Sequence, residues 1–350
     1  MSSRQASLQR GGTAVHLAPG KWQRLGSLTD EEGRFFMLAL DQRDSLRRAL
    51  GAALGISPDA VAADHLTGFK QAVTKTLAPY ATAILLDPEY GYPHVIEHLP
   101  PGVGLLLCLE ESGHEKAGPG GRERKTRLLN NFSVEKAQQL GADAIKLLVY
   151  YNPDASAEVR RHQQEIVRQA GGACARAGLP FLLELVSYAI EEAGTDTAEY
   201  ARRKPDLVAR SAAEFSKPEY QVDIFKLEFP ADLKWTQEYA NGAFDGKVRE
   251  PVYSLAEVRE RCRRLDQVTD GPWVILSAGV TIEEFLVQVD LATEAGASGF
   301  LCGRAIWKDA APLFRDQVAM EEWLDTKGVY NSLRANAHAQ LALPWMEHRL

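Results

Sequence analysis

Lys226 sits in Val222-Asp223-Ile224-Phe225-Lys226-Leu227-Glu228-Phe229, a run that otherwise has the composition of a buried strand. Burial strips water from an ammonium and disfavours its charged form. An amine that is neutral part of the time can attack a ketone and form a Schiff base. Lys146 repeats the arrangement in Ala144-Ile145-Lys146-Leu147-Leu148-Val149-Tyr150, and Glu184 does so for a carboxylate in Phe181-Leu182-Leu183-Glu184-Leu185-Val186. A second cation beside Lys226 would help to keep its amine neutral, or would hold a substrate hydroxyl. Desolvation raises a carboxyl pKa towards the range of general acid–base work, while pairing with lysine pulls it down. Each residue also has a purely structural reading. Lys226 could pair with Glu228, two residues along the same strand face. Lys146 could form a buried salt bridge to a neighbouring strand, and Glu184 could neutralise either lysine.

Two short segments suit an anion. Leu276-Ser277-Ala278-Gly279-Val280 joins an apolar run to a helical pattern, and Cys302-Gly303-Arg304-Ala305 does likewise further on. Small residues there leave backbone N–H groups free at a helix N-terminus, where the dipole favours negative charge. Ser277, Gly279, Gly303 and Arg304 are therefore candidate phosphate ligands. Asp41 could accept a sugar hydroxyl or cap the helix around Ser45–Leu50. Arg43 could hold a second phosphate or a surface carboxylate. His94-Val95-Ile96-Glu97-His98 matches a short zinc-peptidase pattern, but no third ligand stands out, and no metal is expected.

The elements that would position these groups are eight apolar runs: Phe35–Leu40, Ala83–Leu86, Gly104–Leu109, Ala144–Tyr150, Pro180–Leu185, Val222–Phe229, Trp273–Leu276 and Gly299–Cys302. Most are short and unalternating, as strands buried on both faces are. Stretches of helical length lie between them, including Ser133–Leu140 and Ala157–Ala177. A third, Thr281–Ala295, opens on a capping-box pair, Thr281 and Glu284. Strands alternating with helices predict an α/β fold, the (β/α)8 TIM barrel. The open doubly wound alternative would carry a Gly-rich fingerprint after its first strand, and Leu40 runs instead into Asp41-Gln42-Arg43-Asp44. Catalytic groups of such barrels stand at the carboxyl ends of strands. Asp41 and Arg43, Asp87 and Glu89, Glu110, Lys146, Glu184, Lys226, Ser277 and Arg304 all fall at or near those ends. The expected organisation is a mobile segment over 1–25, one barrel over 26–330 and a helical tail over 331–350.

A net charge of −7 argues against a nucleic-acid partner, which requires a basic surface. No apolar run approaches the ~20 residues of a membrane span, and the first 25 residues hold no secretory apolar core. The expectation is a cytoplasmic protein, with Cys108, Cys174, Cys262 and Cys302 reduced. Trp323, Trp345 and the long tail could support a contact between identical subunits.

Taken in order, the segments Leu38-Ala39-Leu40-Asp41-Gln42-Arg43, Leu85-Leu86-Asp87-Pro88-Glu89-Tyr90-Gly91, Glu110-Glu111-Ser112-Gly113, Lys146-Leu147-Leu148-Val149-Tyr150-Tyr151, Phe181-Leu182-Leu183-Glu184, Phe225-Lys226-Leu227-Glu228-Phe229-Pro230, Leu276-Ser277-Ala278-Gly279-Val280 and Leu301-Cys302-Gly303-Arg304-Ala305 resemble the class I tagatose 1,6-bisphosphate aldolase family. The resemblance implies an imine-forming lysine at Lys226, a glutamate proton shuttle at Glu184 and a supporting lysine at Lys146. It also implies substrate contacts at Asp41, Gln42, Arg43 and Glu110, and phosphate contacts at Ser277, Gly279, Gly303 and Arg304. No cofactor is implied. The implied activity is metal-independent cleavage of a ketose 1,6-bisphosphate to dihydroxyacetone phosphate and glyceraldehyde 3-phosphate. Relatives acting on fructose bisphosphate or a sulfonated sugar phosphate keep other substrates open, and a sugar-phosphate sensor is the non-enzymatic alternative. Residues 187–204 and those after 310 depart from the pattern.

Overall fold

Apolar runs without polar alternation need cover on both faces, and a barrel wrapped in helices supplies it. In the computed structural model, which describes residues 17–348, the strands are β1 (Phe35–Leu40), β2 (Ala83–Leu86), β3 (Gly104–Cys108), β4 (Ala144–Tyr150), β5 (Phe181–Val186), β6 (Ile224–Glu228), β7 (Trp273–Leu276) and β8 (Gly299–Cys302). All pair in parallel with their sequence neighbours, and β8 closes on β1. Five have the limits the sequence predicts. β6 starts later than Val222 because Asp223 is spent at the barrel floor, where its carboxylate accepts the Phe181 N–H at 2.7 Å and pairs with Lys21 at 2.6 Å.

Both strand faces are apolar, but they feed different cores. Phe35, Met37 and Ala39 join Leu85, Leu106, Leu182, Val274 and Leu301 inside the barrel. Phe36, Leu38 and Leu40 face the helices, with Leu107, Ile145, Leu183 and Ile275. The period of two therefore assigns Lys146, Glu184 and Lys226 to the inner face with Ala144, Leu182 and Ile224, two residues before each.

The expected mobile segment over 1–25 requires correction where it is described; residues 1–16 lie outside the described residues. Pro19–Gly26 is a helix, with Leu25 in the inner core and Trp22 packed edge-on against Trp345 at 4.5 Å. The helical tail is also shorter than 331–350. The last α-helix is Val329–His338, followed by single 3-10 turns at Ala339–Leu341 and Trp345–Glu347. Pro344 cannot continue a helix, and the extended chain brings Trp345, 2% exposed, into the inner core. Its N–H donates to the Gly33 carbonyl at 2.9 Å. Trp345 is therefore a plug of the barrel floor rather than a surface anchor. A short hairpin, Glu115–Ala117 with Glu123–Lys125, rises between β3 and β4; its polar strands carry no apolar signal in the sequence.

At the end of β2, Asp87 is structural. It is fully buried with Lys70, whose ammonium also donates to the Leu40 carbonyl at 2.8 Å. Its second oxygen accepts the Glu89 and Tyr90 N–H groups at 3.0 and 2.7 Å, folding the turn after the strand. Removing one partner of such a pair strands the other charge. Lys70→Met is expected to lose about 3–5 kcal/mol in urea unfolding; a loss below ~1 kcal/mol would show the pair to be dispensable.

Candidate active site

Glu184 lies between the two lysine strands, opposite Leu148 of β4 and opposite Lys226 of β6. The Nζ atoms of Lys146 and Lys226 both stand 2.9 Å from the same oxygen, Oε2 of Glu184. Lys146 is surrounded further: Asp41 Oδ2 lies at 2.6 Å and Glu110 Oε1 is also in contact. Lys226 has Glu184 alone among the described residues. One lysine is thus locked by three carboxylates, and the other is held by a single oxygen at the cavity wall.

The electrostatics separate their roles. Burial would push the Lys146 ammonium towards neutrality, but Asp41, Glu110 and Glu184 outweigh it and hold its pKa well above the usual lysine range. Lys146 is a fixed positive charge. Burial pushes Glu184 up, and Lys146 and Lys226 overcome it, so the carboxyl is held below its ordinary range. Asp41 is likewise held low, with burial again opposed chiefly by Lys146. Ion pairing thus overrides the upward shift that desolvation alone would give Glu184, and the resting residue is a carboxylate.

Glu228 does not pair with Lys226. It accepts the Ser187 N–H at 2.6 Å and the Ser187 hydroxyl at 2.5 Å, and that hydroxyl lies 2.9 Å from the Tyr200 hydroxyl. Asp41 caps no helix: the first helix after β1, Asp44–Leu54, has Arg43 at its N-cap without a side-chain bond.

Ser277, Gly303 and Arg304 line a cavity of about 470 Å³ at the carboxyl ends of the strands, together with Glu184 and Lys226. Gly303 has to be glycine because an added Cβ would stand 2.3 Å from the Ala39 carbonyl oxygen. That oxygen also accepts Trp307 Nε1 at 3.0 Å. Ala278 and Gly279 both take positive φ, 48° and 80°. For alanine this costs about 1–2 kcal/mol, and such strain concentrates at functional loops. Lys308 takes the carbonyls of Gly279 and Val280 at 3.0 and 2.9 Å. The N–H groups of Ala278 and Gly279 have no partner among the described residues. Gly279 lies under the Arg304 guanidinium, which a Cβ would approach to 3.2 Å.

Arg43 pairs with a surface carboxylate, the second of its two readings. It is buried and absent from the cavity wall, bound to Glu89 at 2.8 Å and to the Glu110 carbonyl at 2.6 Å. Its guanidinium holds the Glu110 main chain and lies 3.8 Å from Cys108 Sγ of the inner core, while the exposed Glu89 supplies the surface carboxylate. Gln42 does line the cavity, and its Oε1 is buried without a partner. The helix expected from Thr281 begins as foreseen: Thr281 accepts the Glu284 N–H at 3.3 Å. Glu284 does not return the bond; its side chain is buried at the cavity wall, where burial and then Asp232 push its carboxyl up to about 7. The spacing pointed to a cap and concealed a site residue. The wall also includes Arg124, Tyr150, Ser187 and Tyr200. Arg124 lies on the polar hairpin, outside every strand-end position.

Asp41, Cys108 and Glu110 offer ligand atoms within 4.8 Å of one another, a spacing that could suit a metal. The Lys146 ammonium already contacts both carboxylates, and the Arg43 guanidinium lies 3.8 Å from Cys108 Sγ. Protein cations stand where a metal would be needed, and burial drives the Cys108 thiol up, away from the thiolate a metal takes. The His94–His98 segment changes from an α turn to a 3-10 turn at Ile96, and neither histidine lines the cavity.

Residues 35–309 match the DeoC/LacD family aldolase model. The chain is 38% identical over 319 residues to tagatose 1,6-diphosphate aldolase 2 of Enterococcus faecalis, covering 90% of this chain and 92% of that one. It is 33% identical over 336 residues to the tagatose 1,6-diphosphate aldolase of Lactococcus lactis, covering 95% and 99%. A fructose-bisphosphate aldolase from Plasmodium falciparum superposes with a TM-score of 0.65 at 12% identity, over 95% of this chain and 99% of that one, and so shares the fold. No described helix is long and apolar enough to cross a membrane. The barrel, the match across most of its length and the full-length relatives together make this chain a member of the DeoC/LacD family of aldolases.

Proposed function

We propose that the protein cleaves a ketose 1,6-bisphosphate, with tagatose 1,6-bisphosphate as its substrate, through a Schiff base on Lys226. The reading is carried by one carboxylate oxygen, Oε2 of Glu184, 2.9 Å from both lysine ammoniums. Glu184 takes a proton from Lys226, and the freed amine attacks the C2 ketone. The carbinolamine loses water, with Glu184 returning the proton, and an iminium remains. Glu184, again a carboxylate, accepts the C4 hydroxyl proton. The C3–C4 electron pair moves into the iminium to give an enamine, and glyceraldehyde 3-phosphate leaves. Protonation at C3 and hydrolysis release dihydroxyacetone phosphate and restore Lys226. Lys146 stays charged throughout, so each cycle returns the same field. Ser277, Gly279, Gly303 and Arg304 hold the C1 phosphate and set the ketone against the amine. The names of the full-length relatives support the substrate.

Product analysis tests the reading. Tagatose 1,6-bisphosphate should yield both triose phosphates in equal amounts, and the absence of triose phosphate from any ketose bisphosphate would overturn it. The cationic imine is the electron sink, so EDTA should leave turnover within about twofold of the untreated enzyme, where loss of a metal would cost several kcal/mol of barrier stabilisation. Loss of activity in EDTA that zinc restores would refute this chemistry.

A further inference from the structure

Three cations of the cavity wall, Arg124, Lys204 and Lys234, have no part in the reaction above, and Lys234 is paired with Asp232 at 3.5 Å. Arg124 leaves the hairpin strand Glu123–Lys125 and lies between two aromatic faces, with its guanidinium carbon 5.2 Å from the Tyr150 ring centre and 5.1 Å from that of Tyr188. Among the described residues, the guanidinium makes no hydrogen bond and no ion pair. Its main chain is pinned: the Arg124 N–H donates to the Tyr188 hydroxyl at 3.4 Å, and Gln163 donates to its carbonyl at 3.1 Å. The adjacent carboxylate, Glu123, is occupied elsewhere, accepting the Ser156 N–H and hydroxyl at 2.8 and 2.5 Å. Stacking fixes the plane of an arginine while leaving its edge donors free, the form suited to two-point capture of a phosphate.

Its place in the ring matters as much. Tyr150 ends β4, and Gly303-Arg304 follow β8; these strands are four places apart in a closed ring of eight, so they face each other across the mouth. Lys226 on β6 and Glu184 on β5 lie between. A chain laid from the β7–β8 loops past β6 and β5 therefore ends against β4. His114, whose ring meets Tyr150 at 5.1 Å, is held below its usual pKa by burial first and then by Arg124, Lys116 and Arg127. Resting on the function proposed above, we propose that Arg124, clamped by Tyr150 and Tyr188, binds the second phosphate of the substrate, at the end remote from the ketone, and so sets the preference for a bisphosphate over a 1-phosphate. Lys204 is the other wall cation besides Arg304 without a partner among the described residues, but its charge bears on the buried Glu284.

Binding can be measured without turnover in a Lys226→Met background, where Glu184 keeps Lys146. Calorimetric titration would compare tagatose 1,6-bisphosphate with tagatose 1-phosphate. Adding Arg124→Ala should weaken the bisphosphate roughly 10–100-fold and the 1-phosphate by less than about threefold, the range for losing charge-assisted hydrogen bonds. Arg124→Lys should recover part of the loss, and Lys204→Ala should leave the ratio unchanged. An equal loss for both ligands, no loss for either, or a selective loss carried by Lys204→Ala would overturn the assignment. Borohydride trapping of dihydroxyacetone phosphate, which has no remote phosphate, should be untouched by Arg124→Ala in the otherwise native chain. Failure of trapping in the native chain counts against the imine alone and leaves the binding comparison readable.

Discussion

Lys226→Arg is expected to leave a folded barrel with no turnover and no covalent adduct after borohydride treatment with dihydroxyacetone phosphate. Arginine keeps a positive charge beside Glu184 but does not deprotonate to a nucleophile. The loss should be on the order of 10⁵-fold or more, the scale seen when a covalent nucleophile is removed. Lys226→Ala should be equally inactive and also folds, because Glu184 remains 2.9 Å from Lys146 and is not left unpaired. In the native enzyme the adduct should map to Lys226. Lys146 is the internal control: it is also buried and also in contact with Glu184, but three carboxylates hold its ammonium charged. An adduct on Lys146, or one that survives in Lys226→Arg, would reassign the nucleophile and end the proposed mechanism.

Glu184→Gln tests the proton carrier. Glutamine keeps the size of the side chain, and Lys146 keeps Asp41 and Glu110, so the fold should hold. What disappears is the only carboxylate in contact with Lys226 among the described residues. Turnover should fall about 10²–10⁴-fold, the usual worth of a positioned acid–base group. A merely structural glutamate could lower turnover too, so the pH profile is the sharper measure. Glu184 is held below the ordinary carboxylate range, burial being outweighed by the two lysines. It is therefore in its base form at neutral pH, and protonation on acidification should produce the acid limb of kcat/KM. That limb should vanish in Glu184→Gln. An unchanged limb, or near-native turnover, would remove Glu184 from the proton path.

The interior of a parallel barrel explains why so much of this protein was legible. Strands covered on both faces are apolar at almost every position, so an ionisable residue inside one stands out without any knowledge of its neighbours. Lys146, Glu184 and Lys226 are of this kind. Strand parity then assigns them to one face, which is local information. The tight approach of Gly303 to the Ala39 carbonyl and the left-handed turn at Ala278-Gly279 are also written in small residues at strand ends.

Which charge meets which was decided only by the closed ring. Glu184 reaches both lysines because β5 lies between β4 and β6 in register, and no spacing along the chain reveals that register. Arg43 binds the Glu110 carbonyl and Glu89, and Glu284 gave up a helix cap for burial at the cavity wall, because the groups around each of them come from other strands and loops. Arg124 is carried to the mouth by a hairpin whose polar residues have no periodic signal. Apolar pattern is repeated, local and driven by burial of area, so a sequence displays it. Pairing of buried charges depends on a few distances of about 3 Å between segments distant in the chain, and those distances come into being only when the barrel closes.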